Sequence, residues 1–207
     1  IDAAISGTEV KHVIALSLGD FFPAVKRSLL DVMLRHVKRM ETRLECQHVS
    51  LQKAIELGSR HAAPVSSYTD SLPVNRDSIY QYSGGTTGTS KGVRLTEAGL
   101  VTNIDQFVSL SPELATMRGR TMLLVLPVYH VFGLFASVIA LRYGVHVVLA
   151  PSPRPLSNLK KTFEKFEPTL LPGVNTLFSK LMDEPWFRED PPQLALTISG
   201  AAALDPN

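Results

Sequence analysis

The sequence predicts an α/β fold in which helices flank a mainly parallel sheet. Two observations carry this prediction. Between residues 120 and 198, short apolar runs alternate with helical patterns over short connections, as in successive strand–helix units. Near the start, residues 10–18 form an apolar, branched run of the kind found in buried parallel strands. We divide the chain into a leading segment of strand and helices, residues 1–73, and an α/β segment, residues 74–207.

The leading segment is predicted to hold one strand and two helices. After the strand at residues 10–18, Gly19, Asp20 and Pro23 turn the chain into a helix over residues 24–40. This helix carries five basic residues and one acid, a balance that suits either contact with an anionic membrane or, the favoured interpretation, a solvated surface face. A second helix over residues 48–57 ends at Gly58, and residues 59–73 form a polar loop.

The second segment is predicted to alternate strands and helices. Residues 78–82 form a short strand, and Thr96 begins a helix over residues 97–110. Further strands are expected at residues 120–126, 145–149, 170–171 and 194–198. Helices over residues 131–143, 156–166 and 174–182 separate them, and Gly144 ends the first of these helices.

A glycine-rich segment, residues 82–92, has the composition of a phosphate-binding loop. Glycines, Ser and Thr hydroxyls and one lysine crowd together there, with no acid among them. Glycine lets successive backbone N–H groups turn toward one anion, hydroxyls add donors, and lysine supplies a point charge. We expect the loop to lie between a strand and a helix. A flexible polar hairpin or linker is the less favoured alternative.

Two common phosphate-binding patterns are excluded. A Walker A loop ends in Gly-Lys followed by Ser or Thr, but Lys91 follows Ser90 and precedes Gly92. The dinucleotide fingerprint is not matched either, because Gly84 and Gly85 are adjacent.

Residues 83–92 resemble the phosphate loop of the adenylate-forming enzymes, which include acyl-CoA synthetases, luciferases and nonribosomal peptide adenylation domains. The loop of that family reads [Ser/Thr]-[Ser/Gly]-Gly-[Ser/Thr]-Thr-Gly-x-x-Lys-Gly, and the chain satisfies every defined position. The resemblance implies contacts with the β- and γ-phosphates of ATP from Gly84, Gly85, Thr86, Thr87 and Gly88. It also implies that Ser83 or Thr86 touches Mg²⁺ or phosphate, and that Lys91 shapes or charges the loop.

Two further segments fit the same resemblance. Residues 127–133 follow a strand end and match a Pro-x-x-His-x-x-Gly-like segment, which implies that His130 and Phe132 line the site of the acid being activated, with His130 near the reacting carboxyl. Without the resemblance, His130 would be assigned a structural role. Residues 199–204 match a small-residue turn, which implies that Gly200, Ala201 and Ala202 pack against adenine and the acyl chain. Ala203 replaces the proline common in relatives.

Residues 172–178, which include Val174, and residues 11–20 resemble stretches of bacterial long-chain fatty acyl-CoA synthetases. Val174 is therefore expected beside the acyl substrate. The resemblance implies that a fatty carboxylate attacks the α-phosphate of ATP, and that the CoA thiol then displaces AMP. Because later family motifs fall beyond Asn207, we expect the chain to be a central piece of a longer enzyme and to show no turnover alone.

Composition and charge bear on other classes of protein, namely nucleic-acid-binding, disulfide-rich, secreted and membrane-spanning proteins. A net charge of +2 over 207 residues gives no argument for nucleic-acid binding. The single cysteine, Cys46, rules out an internal disulfide framework and suits a reducing cytoplasm. The start of the chain has no signal-peptide pattern, and the longest apolar stretch, residues 131–141, is shorter than the ~20 residues that span a bilayer. We therefore expect a cytoplasmic protein, with peripheral contact at the inner face of the membrane as an alternative.

Three other functions stay open at this stage. An amino-acid-activating domain is disfavoured because Val131 and Phe132 are apolar where an acid would bind the substrate amine. An aryl-acid–CoA ligase is an open alternative, because the length of the acid pocket depends on packing. A non-catalytic module that binds a nucleotide or an acyl group is the alternative from a different class.

Overall fold

A computed structural model of the chain describes residues 2–34, 44–61, 63–73, 75–83 and 88–203. It separates into two compact units, Ile1–Leu72 and Pro73–Asn207. The final part of the predicted helix over residues 24–40, the loop residues Gly84, Gly85, Thr86 and Thr87, and the last position of the turn at residues 199–204 lie outside the described residues. None of the described helices is both long enough and apolar enough to cross a membrane.

The first unit is built from short elements. Its helices are α1 (Asp2–Ile5), α2 (Ala24–Val32), α3 (Leu51–Ser59) and α4 (Ser66–Thr69), and its strands β1 (Ile14–Ala15) and β2 (Val49–Ser50) pair in parallel. Ser50 caps α3 by accepting a hydrogen bond from the Lys53 N–H at 3.2 Å. The predicted helices are confirmed within the described residues, but α3 starts later than predicted and continues through Gly58 to Ser59, so the predicted end at Gly58 is wrong. Helix α4 is an addition within the predicted loop.

The prediction of a buried strand over residues 10–18 is wrong in length and burial. Only two residues pair, and Leu16 and Leu18 are 72% and 70% exposed. The Asp20 carboxylate accepts a hydrogen bond from the Ser17 N–H at 2.7 Å, so the chain already turns at Ser17. An apolar, branched composition favours a strand, but burial requires a second layer that packs on it.

The second unit contains a hairpin and a parallel sheet. Strands β3 (Asp77–Ser83) and β4 (Lys91–Thr96) pair antiparallel, and helix α5 (Glu97–Leu110) follows β4 directly. The glycine-rich loop therefore joins two strands, and its expected position between a strand and a helix is wrong. Sequence patterning missed β4 because Lys91, Gly92 and Arg94 dilute its apolar positions. The start of α5 is confirmed, with Thr96 capping it through a hydrogen bond from the Gly99 N–H.

The parallel sheet confirms the predicted α/β fold. Its four strands, β5 (Thr121–Leu124), β6 (His146–Leu149), β7 (Leu170–Gly173) and β8 (Leu196–Ser199), lie in the order β6-β5-β7-β8, and every pair is parallel. The connecting helices are α6 (Val131–Tyr143), α7 (Ser157–Phe166), α8 (Asn175–Asp183) and α9 (Pro185–Glu189), and a 3₁₀ helix, Pro112–Thr116, precedes β5. Gly144 ends α6 in the left-handed conformation, as its position predicts.

Alternating side chains of β5 divide the core between the two faces of the sheet. Leu123 packs with Leu159 and Leu181 of α7 and α8, whereas Leu124 packs with Ala136 and Ala140 of α6. Helices therefore cover both faces of the sheet. This arrangement brings the carboxyl ends of the parallel strands to one edge, where the segments that follow β5, β7 and β8 meet.

Candidate functional site

The two described ends of the glycine-rich loop lie opposite each other where the hairpin strands enter the loop. Ser83 and Lys91 are cross-strand partners, and the Ser83 hydroxyl donates to the Lys91 carbonyl at 3.4 Å. Gly88 has a φ of +154° with open space around it. The side chains of Ser83 and Lys91 are exposed, so a hydroxyl and an ammonium group are available to an anion bound by the loop.

The segment after β5 orients His130. Its backbone N–H donates to the Pro127 carbonyl at 3.0 Å, and its side chain caps α6 because Nδ1 accepts a hydrogen bond from the Phe132 N–H at 3.3 Å. An imidazole nitrogen that accepts a hydrogen bond carries no proton, so the proton of the neutral ring is on Nε2. His130 is exposed. It thus presents an N–H donor at the carboxyl edge of the sheet.

Gly133 is required by the close packing of this segment. A Cβ atom at Gly133 would lie 2.3 Å from the Pro127 carbonyl oxygen and 2.8 Å from its carbon. The first turn of α6 can therefore approach the strand end only without a side chain. The glycine of the Pro-x-x-His-x-x-Gly segment serves packing, and it sets where His130 sits.

The turn after β8 packs against the side chain of Phe132. A Cβ atom at Gly200 would lie 2.9 Å from Cε1 of Phe132, so the half-buried ring rests on the glycine backbone. The Gly200 N–H donates to the Gly173 carbonyl at 3.2 Å, which joins the ends of β7 and β8. Ala201 follows with a φ of 67°, a left-handed conformation, and Ala202 is exposed. The sequence-predicted residues Phe132 and Gly200 are therefore in contact.

Val174 lies at the same edge of the sheet but is anchored in the core. It is partly buried, and it packs against the cluster that includes Leu123 and Leu177.

Gln81 is the site residue that motif analysis missed. Its side-chain amide donates a hydrogen bond of 2.6 Å to the carbonyl oxygen of Tyr129, next to His130. This bond connects the β3 arm of the hairpin to the segment that carries the imidazole. A polar residue at the inward position two after Ile79, in a strand that alternates its burial, is the signal that could have found it.

The outward face of the hairpin carries a separate charge cluster. The Tyr80 hydroxyl donates to the Asp77 carboxylate at 3.0 Å, and Arg94 pairs with the same carboxylate at 3.2 Å. The bond to Asp77 raises the pKa of the Tyr80 phenol, because ionisation would lose the bond and place a second negative charge beside the first.

The donor set fits a phosphate better than a protein-held metal. Within the described ranges, no group of three or more His, Cys, Asp or Glu side chains could hold a metal ion. Of the two predicted magnesium contacts, Ser83 offers a hydroxyl oxygen at the loop, and Thr86 lies outside the described residues. A hydroxyl oxygen suits Mg²⁺ that is held mainly by phosphate oxygens and water.

A cavity elsewhere in the second unit lies away from this chemistry. It is lined by residues such as Phe163, Thr169 and Trp186. Thr169 comes just before β7, so the cavity opens at the amino edge of the sheet, opposite the edge that carries His130 and Gly200. Ligands of parallel α/β sheets bind at the carboxyl edge, so the residues around His130 form the candidate site.

A parallel sheet with this edge, preceded by a glycine-rich hairpin, is the fold of the N-terminal domains of adenylate-forming enzymes. The N-terminal domain of FACL13 from Mycobacterium tuberculosis superposes with a TM-score of 0.63 at 20% identity, over 99% of this chain and 48% of that domain chain. The chain belongs to the AMP-binding enzyme family, whose model matches residues 1–207.

Two curated relatives indicate the range of the family around this chain. A long-chain-fatty-acid–CoA ligase of Haemophilus influenzae is 31% identical over 211 residues, which cover 99% of this chain and 36% of the relative. A 4-coumarate-CoA ligase of Narcissus pseudonarcissus is 34% identical over 126 residues, 59% of this chain and 23% of that protein. The chain thus spans about a third of the length of the long-chain ligases that it matches.

Proposed function

We propose that the chain supplies the phosphate loop and the acid-binding edge of an AMP-forming ligase that activates a long-chain fatty acid. The protein would use ATP and CoA as co-substrates and Mg²⁺ as its metal. One observation carries the proposal: the exposed imidazole of His130 and the half-buried ring of Phe132 both follow β5 at the carboxyl edge of the sheet, and Gly200 lies against that ring. A carboxylate with an apolar tail requires such a pair.

In the proposed first step, a carboxylate oxygen of the acid forms a bond to the α-phosphorus of ATP. The bond between that phosphorus and the bridging oxygen to the β-phosphate breaks, and pyrophosphate leaves with the electron pair. The attacking acid is already ionised, so no proton has to be removed. The Nε2–H group of His130 is suited to hold one carboxylate oxygen while the other attacks, which is a positioning role rather than that of a base.

The hairpin is proposed to hold the leaving phosphates. The ammonium group of Lys91 and the hydroxyl of Ser83 flank the loop whose glycine and threonine residues lie outside the described ranges. Charge builds up on phosphoryl oxygens during the transfer, and fixed donors aimed at that charge lower the barrier. Mg²⁺ would be held at this loop with the Ser83 hydroxyl as one ligand, and it would neutralise part of the same charge.

Two classes of acid are candidates for the substrate. Val131 and Phe132 at the start of α6 favour an acid without an amine, and the Haemophilus relative is named for long-chain fatty acids. An aryl acid is the second candidate, because the 4-coumarate-CoA ligase is 34% identical to this chain over 126 residues. A full-length protein that contains this chain should form a thioester from palmitate more efficiently than from cinnamate or benzoate. Thioester from cinnamate alone would replace the first candidate with the second.

The role of His130 is tested by His130→Ala in that full-length protein. We expect a higher KM for the acid and a lower kcat for pyrophosphate exchange, with a KM for ATP within about twofold of the parent. His12→Ala, which removes an exposed histidine of the first unit, is the matched control and should leave every constant unchanged. Equal effects of the two variants would contradict the assignment.

Lys91→Ala separates catalysis from simple binding. A ligase should lose most of its turnover when the charge at the loop is removed, because the charge acts on the transition state. A non-catalytic module would show nucleotide binding, weakened by the variant, and no acid-dependent exchange in either form. Since the 207-residue chain spans about a third of its relatives, we expect no exchange from this chain alone.

We propose that the protein is cytoplasmic, with peripheral contact with a membrane as the alternative that one feature supports. Helix α2 exposes 74% of Val25 and 67% of Leu29 beside Lys26 and Arg27. Salt-sensitive sedimentation with anionic vesicles would support this contact, and no sedimentation at low salt would dismiss it.

A further inference from the structure

The peptide group between Tyr129 and His130 is held at both of its polar ends. The Tyr129 carbonyl oxygen accepts a hydrogen bond of 2.6 Å from the Gln81 side-chain amide. The His130 N–H of the same peptide donates to the Pro127 carbonyl at 3.0 Å. A peptide group is planar and rigid, so two bonds at opposite ends fix its rotation about the chain. That rotation sets the direction in which the His130 side chain leaves the backbone.

The two bonds come from different parts of the unit. The bond to Pro127 is local and closes a turn of four residues after β5. The bond to Gln81 is long-range, because it reaches 48 positions back along the chain to the hairpin. The local turn could rotate as a body if only the bond to Pro127 were present. The bond from Gln81 to the Tyr129 carbonyl oxygen prevents that rotation.

The hairpin places Gln81 close to the phosphate loop. Gln81 pairs with Val93 in the register of β3 and β4, two positions before the pair of Ser83 and Lys91. At about 3.3 Å per residue, the amide lies about 7 Å along the strand from the base of the loop. The bond to Tyr129 therefore connects the arm that carries the loop to the segment that carries the imidazole.

We propose that Gln81 is a positioning residue that holds the His130 ring toward the carboxylic acid and keeps it in register with the phosphate loop. The role in catalysis rests on the proposed function, whereas the hydrogen bond to Tyr129 does not. Loss of the amide donor frees the Tyr129–His130 peptide to rotate. The ring is then held only by its Nδ1 bond to the Phe132 N–H and by the turn to Pro127, so the acid meets it in a wider range of orientations, while the contacts of ATP do not depend on Gln81.

Two variants remove the donor in different ways. Gln81→Glu keeps the shape of the side chain but sets a carboxylate against the Tyr129 carbonyl. Gln81→Leu fills the inward position of β3 with an apolar side chain of similar volume and removes both polar atoms of the amide. Gln106→Glu is the matched control, since Gln106 is an exposed glutamine on α5. Thermal unfolding of each variant establishes that the second unit is folded.

The first readout is amide hydrogen exchange over residues 127–134 in the 207-residue chain. Loss of one hydrogen bond of ordinary strength should speed exchange of this segment roughly fivefold. Exchange of β7 and β8 should not change. The second readout is the kinetics of the full-length protein, in which the Gln81 variants should raise the KM for the acid roughly fivefold and change the KM for ATP less than twofold.

Unchanged exchange over residues 127–134 in both folded Gln81 variants overturns the inference, whatever the enzyme does. Faster exchange with equal rises in the KM for acid and for ATP also overturns it, because general loosening of the site would produce that result. If no acid supports adenylation in the parent protein, the proposed function fails, and the catalytic role of Gln81 fails with it. The exchange data would still show whether the bond to Tyr129 holds the segment.

Discussion

Gly133 offers the sharpest test of how the edge of the sheet is built. It is buried in the first turn of α6, where a Cβ atom would lie 2.3 Å from the Pro127 carbonyl oxygen. Contacts closer than 3.0 Å do not occur for real Cβ atoms, so Gly133→Ala forces the helix or the strand end back by about 0.7 Å. The same carbonyl accepts the His130 N–H, so the shift also disturbs that hydrogen bond.

Two opposing effects decide the sign of the change. Alanine in a helix interior is more stable than glycine by up to about 1 kcal/mol. Overpacking against backbone costs about 1 to 3 kcal/mol, and a weakened hydrogen bond adds about 1 kcal/mol. We therefore expect Gly133→Ala to lower the free energy of unfolding of the second unit by about 2 kcal/mol. The clash outweighs the helix propensity.

Urea unfolding followed by tryptophan emission measures this change. Trp186 is the one tryptophan of the sequence, and it packs against Phe163 and Phe187 in the second unit. A loss of about 2 kcal/mol should lower the urea midpoint by about 1 M. An alanine variant with an unchanged or higher midpoint would refute the packing argument. The control is Gly58→Ala in α3 of the first unit, where no atom lies within 4 Å of the added Cβ; it should leave the midpoint reported by Trp186 of the second unit unchanged.

Three further predictions concern local features of the second unit. Thr96→Ala removes the cap of α5 and should cost about 1 kcal/mol in urea unfolding, whereas no loss would show that the 3.1 Å bond to Gly99 contributes nothing. Glu167→Gly should stabilise the unit by about 0.5–1 kcal/mol in the same assay, because Glu167 ends α7 at a left-handed φ of 44°, and a lower midpoint would contradict this. Asp77→Asn should return the pKa of Tyr80 toward its ordinary value in an ultraviolet titration, with Tyr80→Phe identifying the signal. Because the folded pKa of Tyr80 is raised, its contribution to stability is complete below about pH 10 and is lost as the pH rises through the folded pKa.

Sequence periodicity predicted the parallel sheet well because local and tertiary preferences agree there. The helix Val131–Tyr143 and its end at Gly144 match the prediction at both boundaries. In contrast, residues 10–18 are apolar without being buried, and β4 is a strand in spite of its polar residues. Burial and hairpin pairing depend on partners far along the chain, which a local window does not contain.

The candidate site was predictable only where ligand chemistry selects the residue type. Ser83, Lys91 and His130 stand out because hydroxyl, ammonium and imidazole groups can contact phosphate or carboxylate. Gln81 does not stand out, because an amide in a strand has many uses and its partner is a backbone carbonyl 48 positions away. No pattern of residue types encodes that distance.

The described contacts at the edge of the sheet lead to a conclusion about which residues control the site. Gln81 and Pro127 hold the peptide that carries His130, and the Phe132 ring lies where a side chain at Gly200 would clash with it. His130 and Phe132 are thus positioned by their neighbours, namely the Gln81 amide, the Pro127 carbonyl and the backbone at Gly200. The close neighbour of Gly133 is a backbone carbonyl, which tolerates little displacement, whereas the close neighbour of Gly200 is the side-chain ring of Phe132, which can move. Gly133→Ala should therefore disturb the site more than Gly200→Ala.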